Sequence, residues 1–360
     1  MSLNKSFSLF ENVKTVIAET QRYIVSNVNQ AMLLAYFQIG KMIVEDEQQG
    51  NRRADYAKET ILQLSKELNK EFGRGYSVDN LERFRKFYLI YQNRISASPM
   101  RKSSNNSLNS KSASAMRLFE NPQPATGIFK APFGLSWTHY IQLLKIKNQD
   151  ERSFYEIEAS ENNWSVRELQ RQYDSALFER LALSKDKKGI KQLAERGQLI
   201  EKPADALKSH YVLEFLGLKE DSKYSESDLE TAIIDKLEHF MLELGKGFLF
   251  EGRQRRFTFE GDSFFVDLVF YNRLLRCFVL FDLKIGKLTH QDIGQMQMYV
   301  NYYDRKIKAR DENPTIGIIL CKEGNRTVIE FTLPEDNKQI FSKEYKAVLP
   351  SKEALKKQLE

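Results

Sequence analysis

Two aspartates and a lysine lie within the apolar, strand-like run FFVDLVFYNRLLRCFVLFDLK, residues 264–284. Asp267 sits between Val266 and Leu268, while Asp282 and Lys284 close a run reading CFVLF. Burying an unpaired carboxylate costs several kcal/mol or drives the group neutral, so two of them in adjacent core strands require a compensating charge. A divalent cation supplies one. Side chains two apart on a strand share a face, so Asp282 and Lys284 point the same way. Asp267 joins them if the intervening loop has an even number of residues. A four-residue loop at 272–275 sets Asp267 opposite Leu280 and diagonal to Asp282, roughly 7–8 Å away by Cα.

The expected ion is Mg2+, with Mn2+ as its substitute. It takes oxygen ligands at about 2.0–2.1 Å and keeps several waters, so it can hold a phosphate and an attacking water together. Lys284 can orient that water and balance charge on a phosphorane-like transition state, and partial burial is expected to lower its pKa. The competing interpretation is a self-satisfied Asp–Lys salt bridge, which leaves the second carboxylate unexplained. Glu243, ending a helix in MLELGKGF, could add a carboxylate to Asp267 and Asp282 as metal ligands; a lone Glu at a helix end is otherwise surface. Gln295 and Tyr299 are four apart on the helix after Lys284 and share its face. They could contact the water or the phosphate, or that helix could merely pack Met296, Met298 and Val300.

The elements that must position these groups are legible in outline. Helical spacing runs over 12–49 and 54–72, and the second helix stops at Gly73-Arg74-Gly75. Ser77 caps a third helix with Asp79 in its first turn and Arg83, Arg85 and Lys86 beyond it. Two helices across a short Gly turn give a helix-turn-helix-like reading, with Arg83, Arg85 and Lys86 as candidate nucleic-acid contacts or as a solvated face. Residues 95–126 turn abruptly rich in Ser and Asn and are expected to be a disordered insertion. Helices resume near Ser136, and Ser165 with Glu168 forms a capping box. After a charged connector at 186–225, a helix over 227–244, three strands, a helix over 289–303 and a strand TIGIILCK predict a mixed α/β domain over 226–350. The tail is 351–360. The helical domain covers 1–94 and 127–185.

At 360 residues, 41% hydrophobic and 12% aromatic, the chain can fill two ordinary cores. No window approaches the ~20 apolar residues of a membrane span, and the N-terminus lacks a signal-like apolar core, so a cytoplasmic, membrane-free protein is expected. Cys277 and Cys321 lie in apolar runs, as buried inert thiols do. His139, His210, His239 and His290 lack zinc-ligand spacing, and no phosphate-binding P-loop is present. The net charge of +6 is uneven: residues 226–360 carry −1, leaving +7 on residues 1–225. A basic N-terminal part fits a polyanion.

The order Asp267, Asp282-Leu283-Lys284, Gln295-x-x-x-Tyr299 resembles the PD-(D/E)XK nuclease superfamily. The longer stretches FMLELGKGFLFEGRQ, FFVDLVFYNRLLRCFVLFDLKIGKL and GQMQMYVNYYD resemble its YhcG-like family. LLAYFQIGKMIVE, FGRGYSVDNLERFRKFY, LSWTHYIQLL and WSVRELQRQYDSALFERL resemble that family's helical N-terminal domain. The resemblance implies a restriction-endonuclease-like core in which Asp267 and Asp282 bind Mg2+, Lys284 acts on the nucleophilic water, Glu243 completes the acidic cluster, and Gln295 and Tyr299 are accessory. Val266 replaces the proline of the superfamily's name, and Asp282 stands where many relatives have Glu. The expectation is a Mg2+-dependent nuclease acting on DNA, with RNA as the other polyanion and a protein partner or a second copy as further partners. Its rival is a non-catalytic nucleic-acid-binding or scaffold protein that keeps the fold.

Overall fold

In the computed structural model of the chain, which describes residues 3–49, 54–96, 133–218, 224–259, 261–349 and 351–359, the early apolar spacing becomes α1 (Leu3–Gln49), α2 (Ala54–Phe72) and α3 (Val78–Ser96), then the short α4 (Trp137–Leu143). The chain divides into two units, residues 1–152 and 153–360. In the first unit α1 and α3 cross closely at Gly40. A Cβ there would lie 2.0 Å from the Phe84 carbonyl oxygen, so only glycine fits. Tyr36 stacks on Phe84 with centroids 4.2 Å apart, over a core of Ile43, Ile61 and Leu81. Ser77 Oγ accepts from the Asn80 N–H at 3.3 Å, the expected cap, and Asn69 brackets the turn by bonding both backbone groups of Tyr76. Of the Ser/Asn-rich stretch, residues 97–126 lie outside the described residues.

Helix α5 (Gln149–Glu161) crosses the boundary, and α6 (Val166–Asp174), with its Ser165/Glu168 capping box, begins the second unit's remaining elements. There follow α7 (Leu177–Ala182), α8 (Lys187–Arg196), β1 (His210–Val212), α9 (Glu226–Asp235), α10 (Leu237–Leu244), β2 (Phe248–Phe259), β3 (Asp262–Asn272), β4 (Cys277–Lys287), α11 (His290–Tyr302), β5 (Ile316–Glu323), α12 (Arg326–Thr332), β6 (Ile340–Lys346) and α13 (Lys352–Lys357). The stretch read as a connector thus contributes a helix and a sheet strand. The sheet order is β1-β6-β5-β4-β3-β2, antiparallel through β2, β3 and β4 and parallel through β4, β5, β6 and β1. This is a mixed α/β sheet with helices against both faces. One face packs Leu229, Ile233, Phe240 and Leu244 of α9 and α10 on Phe270, Phe281 and Ile318, and the other packs Met296, Tyr299 and Val300 of α11 on Leu280 and Ile319. Central strands buried on both sides explain the near-continuous apolar text of β4 and β5.

Two expectations change here. The helix over 227–244 is broken at Lys236 (φ −120°, ψ 32°), which separates α9 from α10. The β3–β4 register runs from Asn272↔Cys277 to Leu268↔Phe281, so the loop is 273–276, one residue later than expected. It still has an even number of residues. The next step of that register puts Asp267 across from Asp282 rather than from Leu280.

Candidate active site

Asp267, Asp282 and Lys284 come together at the end of the β3–β4 ladder. Past Leu268↔Phe281 the backbone pairing stops, and the Asp267 carboxylate takes its place: Oδ2 accepts the Leu283 N–H at 2.8 Å. Asp282 is 1% exposed, and its Oδ2 is ion-paired with Lys284 Nζ at 3.0 Å and has no other partner among the described residues. Burial pushes the Asp282 carboxyl up to about 7 against the opposing pull of Lys284, and it raises Asp267 as well. Two carboxyls held above their ordinary range mark unpaid negative charge.

Lys284 departs from expectation. Burial pulls its ammonium down, but Asp282, with Glu226 Oε2 at 3.7 Å, outweighs burial and raises it. The pull of these carboxylates favours the charged ammonium. From α11, Tyr299 is buried and feels the charges of Asp282 and Asp267, and Gln295 Nε2 donates to its hydroxyl oxygen. Burial keeps that phenol protonated above its usual range. Tyr299 is thus within electrostatic reach of the two aspartates, and Gln295 is tied to Tyr299.

Glu243 does not. Its carboxylate is fully buried and bound by Arg180 through both nitrogens of the guanidinium fork, with Arg171 Nη2 at 3.6 Å and Lys208 Nζ at 3.7 Å, and Oε1 accepts the Val212 N–H at 2.9 Å. Burial works against ionisation there, yet Arg180 and Lys208 hold the carboxyl down at about 2. A carboxylate so saturated is a structural counter-ion, which corrects its reading as a metal ligand. The break at Lys236 separates the two acids: upstream of it Glu230, on α9, shares the Gln254 carboxamide with Asp267. Sequence reasoning missed Glu230, although Glu226 and Glu230 in SESDLE are four apart on one helical face. In the first unit, Arg85 is paired with Glu47 at 2.8 Å between α3 and α1, whereas Arg83 and Lys86 are exposed. Arg85 therefore links the two helices through this ion pair.

The donor set suits a hard divalent ion: carboxylate oxygens, one of them held only by the lysine, and no imidazole or thiol. Among the described residues no three His, Cys, Asp or Glu side chains gather closely enough to hold a metal by themselves. Two carboxylates match an ion that keeps much of its water. Cys277 and Cys321 are buried free thiols, and no described helix is long and apolar enough to cross a membrane.

Residues 204–360 match the family described as YhcG PDDEXK nuclease domain, and residues 12–180 match the DUF1016 N-terminal domain. A protein of Escherichia coli (strain K12) described as "Putative nuclease YhcG" is 40% identical over 342 residues, which cover 93% of this chain and 88% of that protein. Among solved structures, a repair endonuclease from Pyrococcus abyssi is similar at a TM-score of 0.24 and 18% identity over 35% of this chain and 49% of that one. The structure described as an EndoMS-dsDNA2 complex gives 0.24 and 14% over 37% and 50%. Each of those two likenesses spans about half of the other chain. Sequence matches over both halves, with the Asp-Asp-Lys geometry of the second, place this chain in the YhcG nuclease family, a DUF1016 N-terminal domain followed by a PDDEXK nuclease domain.

Proposed function

We propose that the chain hydrolyses phosphodiester bonds in DNA with Mg2+, or Mn2+ in its place, and that the helical N-terminal part binds nucleic acid or a protein partner. The observation that carries this is the buried Asp282 oxygen whose one partner among the described residues is the Lys284 ammonium at 3.0 Å, leaving the second carboxylate, Asp267, without a cation of its own within ion-pair distance. Asp267 and Asp282 would hold the ion, which when bound supplies Lewis-acid chemistry at the phosphate. Hydrolysis puts the water's oxygen on phosphorus as the P–O bond to the leaving oxygen breaks, one water proton passes through solvent to that leaving oxygen, and negative charge grows on the phosphoryl oxygens in between. Lys284, already cationic, stabilises that charge and directs a water hydrogen-bonded to it. Tyr299, a neutral donor braced by Gln295, can hydrogen-bond a phosphate oxygen on the same side.

The test offers supercoiled, linear, branched and single-stranded DNA to the purified full chain with Mg2+ or Mn2+. Cutting that disappears with EDTA and in Asp282→Ala supports the reading. No cutting of any substrate, or cutting that survives Asp282→Ala, refutes it.

A further inference from the structure

Gln254 lies on β2, the sheet's edge strand, between Arg253↔Leu268 and Arg255↔Val266, so the register puts it across from Asp267. Its backbone is left-handed, at φ 47°. A long side chain rarely adopts that conformation, and such strain persists where the surroundings impose it. Gln254 itself is exposed, yet its carboxamide reaches two carboxylates. Its Nε2 donates to Asp267 Oδ1 at 3.2 Å and also to Glu230 Oε2 of α9. An amide nitrogen has two N–H donors, and these partners use both. The orientation of the amide follows, because reversing it would aim its oxygen at two carboxylates.

We propose that Gln254 is a positioning residue, which fixes Asp267 and Glu230 relative to one another so that the acidic face of the site is built before an ion arrives. Asp267 receives one N–H on each oxygen, from Gln254 and from Leu283, and keeps further lone pairs on both for a cation. The two bonds set the carboxylate plane. Without the amide, Asp267 and Glu230 repel one another and the carboxylate is free to rotate. This inference rests on the metal-dependent reading above and adds a residue that no acid–lysine motif contains.

The experiment is Mn2+ uptake by the full chain, followed by electron paramagnetic resonance, in wild type, Asp282→Ala, Gln254→Gly and Gln254→Asn. Glycine accepts the left-handed backbone and removes the amide, so Gln254→Gly is expected to fold and to bind Mn2+ roughly 10–100-fold more weakly, as loss of an outer-shell partner does. Gln254→Asn also tolerates the backbone but is one methylene shorter, and its affinity is expected to fall between the two. On cleavable DNA, Gln254→Gly lowers kcat with KM unchanged. Wild-type uptake that depends on Asp282, together with equal uptake by Gln254→Gly, overturns this inference alone. Wild-type uptake no better than that of Asp282→Ala overturns the nuclease reading and this inference with it.

Discussion

Leu283 gives its backbone N–H to Asp267 Oδ2 at 2.8 Å, at the step where the β3–β4 ladder would otherwise have continued. A side chain has replaced a strand as the hydrogen-bond acceptor. The carboxylate is therefore anchored to the segment that carries Asp282 and Lys284, and its position follows β4. Asp267→Asn keeps one acceptor for this bond but loses the charge. Its fold is expected to survive, with a melting temperature close to wild type, while DNA cleavage is lost. A variant that melts normally and still cuts would dissociate Asp267 from the chemistry.

Asp282 makes stability depend on pH. Its folded pKa of about 7 lies above the ordinary carboxyl range, so the folded state binds the extra proton between that range and about pH 7. Metal-free stability is then full in acid and falls as pH rises through this window. Asp282→Asn removes the Asp282 part of the slope, leaving that of Asp267, and at pH 8 without metal is expected to be more stable than wild type by on the order of 2–4 kcal/mol. Differential scanning calorimetry at pH 5 and pH 8 checks this, and parallel curves for the two proteins would contradict it. Added Mn2+ should stabilise wild type and leave Asp282→Asn unmoved.

Glu243 is expected to behave as the opposite kind of acid. Glu243→Ala strands Arg180 and Lys208, both fully buried, and loss of one partner of such a cluster costs about 3–5 kcal/mol. Because Arg180 and Lys208 hold its folded pKa down at about 2, its stabilisation is present above the ordinary carboxyl range and is lost as pH falls towards 2. Urea unfolding at pH 7 and pH 3 measures both effects. A metal-ligand role would instead appear as weakened Mn2+ uptake in a protein of normal stability.

The two acids also show what was legible in the sequence. Apolar runs with a polar interruption located β3 and β4, and alternation with an even loop put Asp267 and Asp282 on one face without fixing the register. That depended on whether Asn272 paired or turned, and it pairs, with its Oδ1 capping the loop N–H groups of Leu274 and Leu275. Glu243 was read wrongly because its partners, Arg180, Lys208 and Arg171, are 35 to 72 residues away in sequence and nothing local announces them. Gln254 was invisible for another reason: its backbone conformation is one that glycine or asparagine would signal and glutamine does not. β6, IFSKEYK, is short and largely polar, so neither alternation nor an apolar run revealed it.

Tyr299 separates packing from chemistry. Its ring packs edge-on to Phe257 at 5.5 Å, and its hydroxyl accepts from Gln295. Tyr299→Phe keeps the ring and removes only the hydroxyl, so stability is expected to change by about 1 kcal/mol or less, whereas kcat should fall up to roughly tenfold. Unchanged kcat would reduce the residue to part of the core.

Arg83 and Lys86 test the helical unit. They are three apart on α3, exposed, and share a face, while Arg85 is tied to Glu47. If that face meets DNA phosphates, each cation releases about 0.9 of a counterion on binding duplex, so the double variant Arg83→Ala/Lys86→Ala lowers the salt slope of log K by roughly 1.8 and weakens binding alike on all sequences. Arg85→Ala instead loosens the α1–α3 contact and leaves the slope alone. Fluorescence anisotropy with a duplex between 50 and 200 mM salt reads these slopes. An unaltered slope in the double variant, with affinity intact, would assign the +7 of the first 225 residues to solvated surface and leave the helical unit to a protein partner.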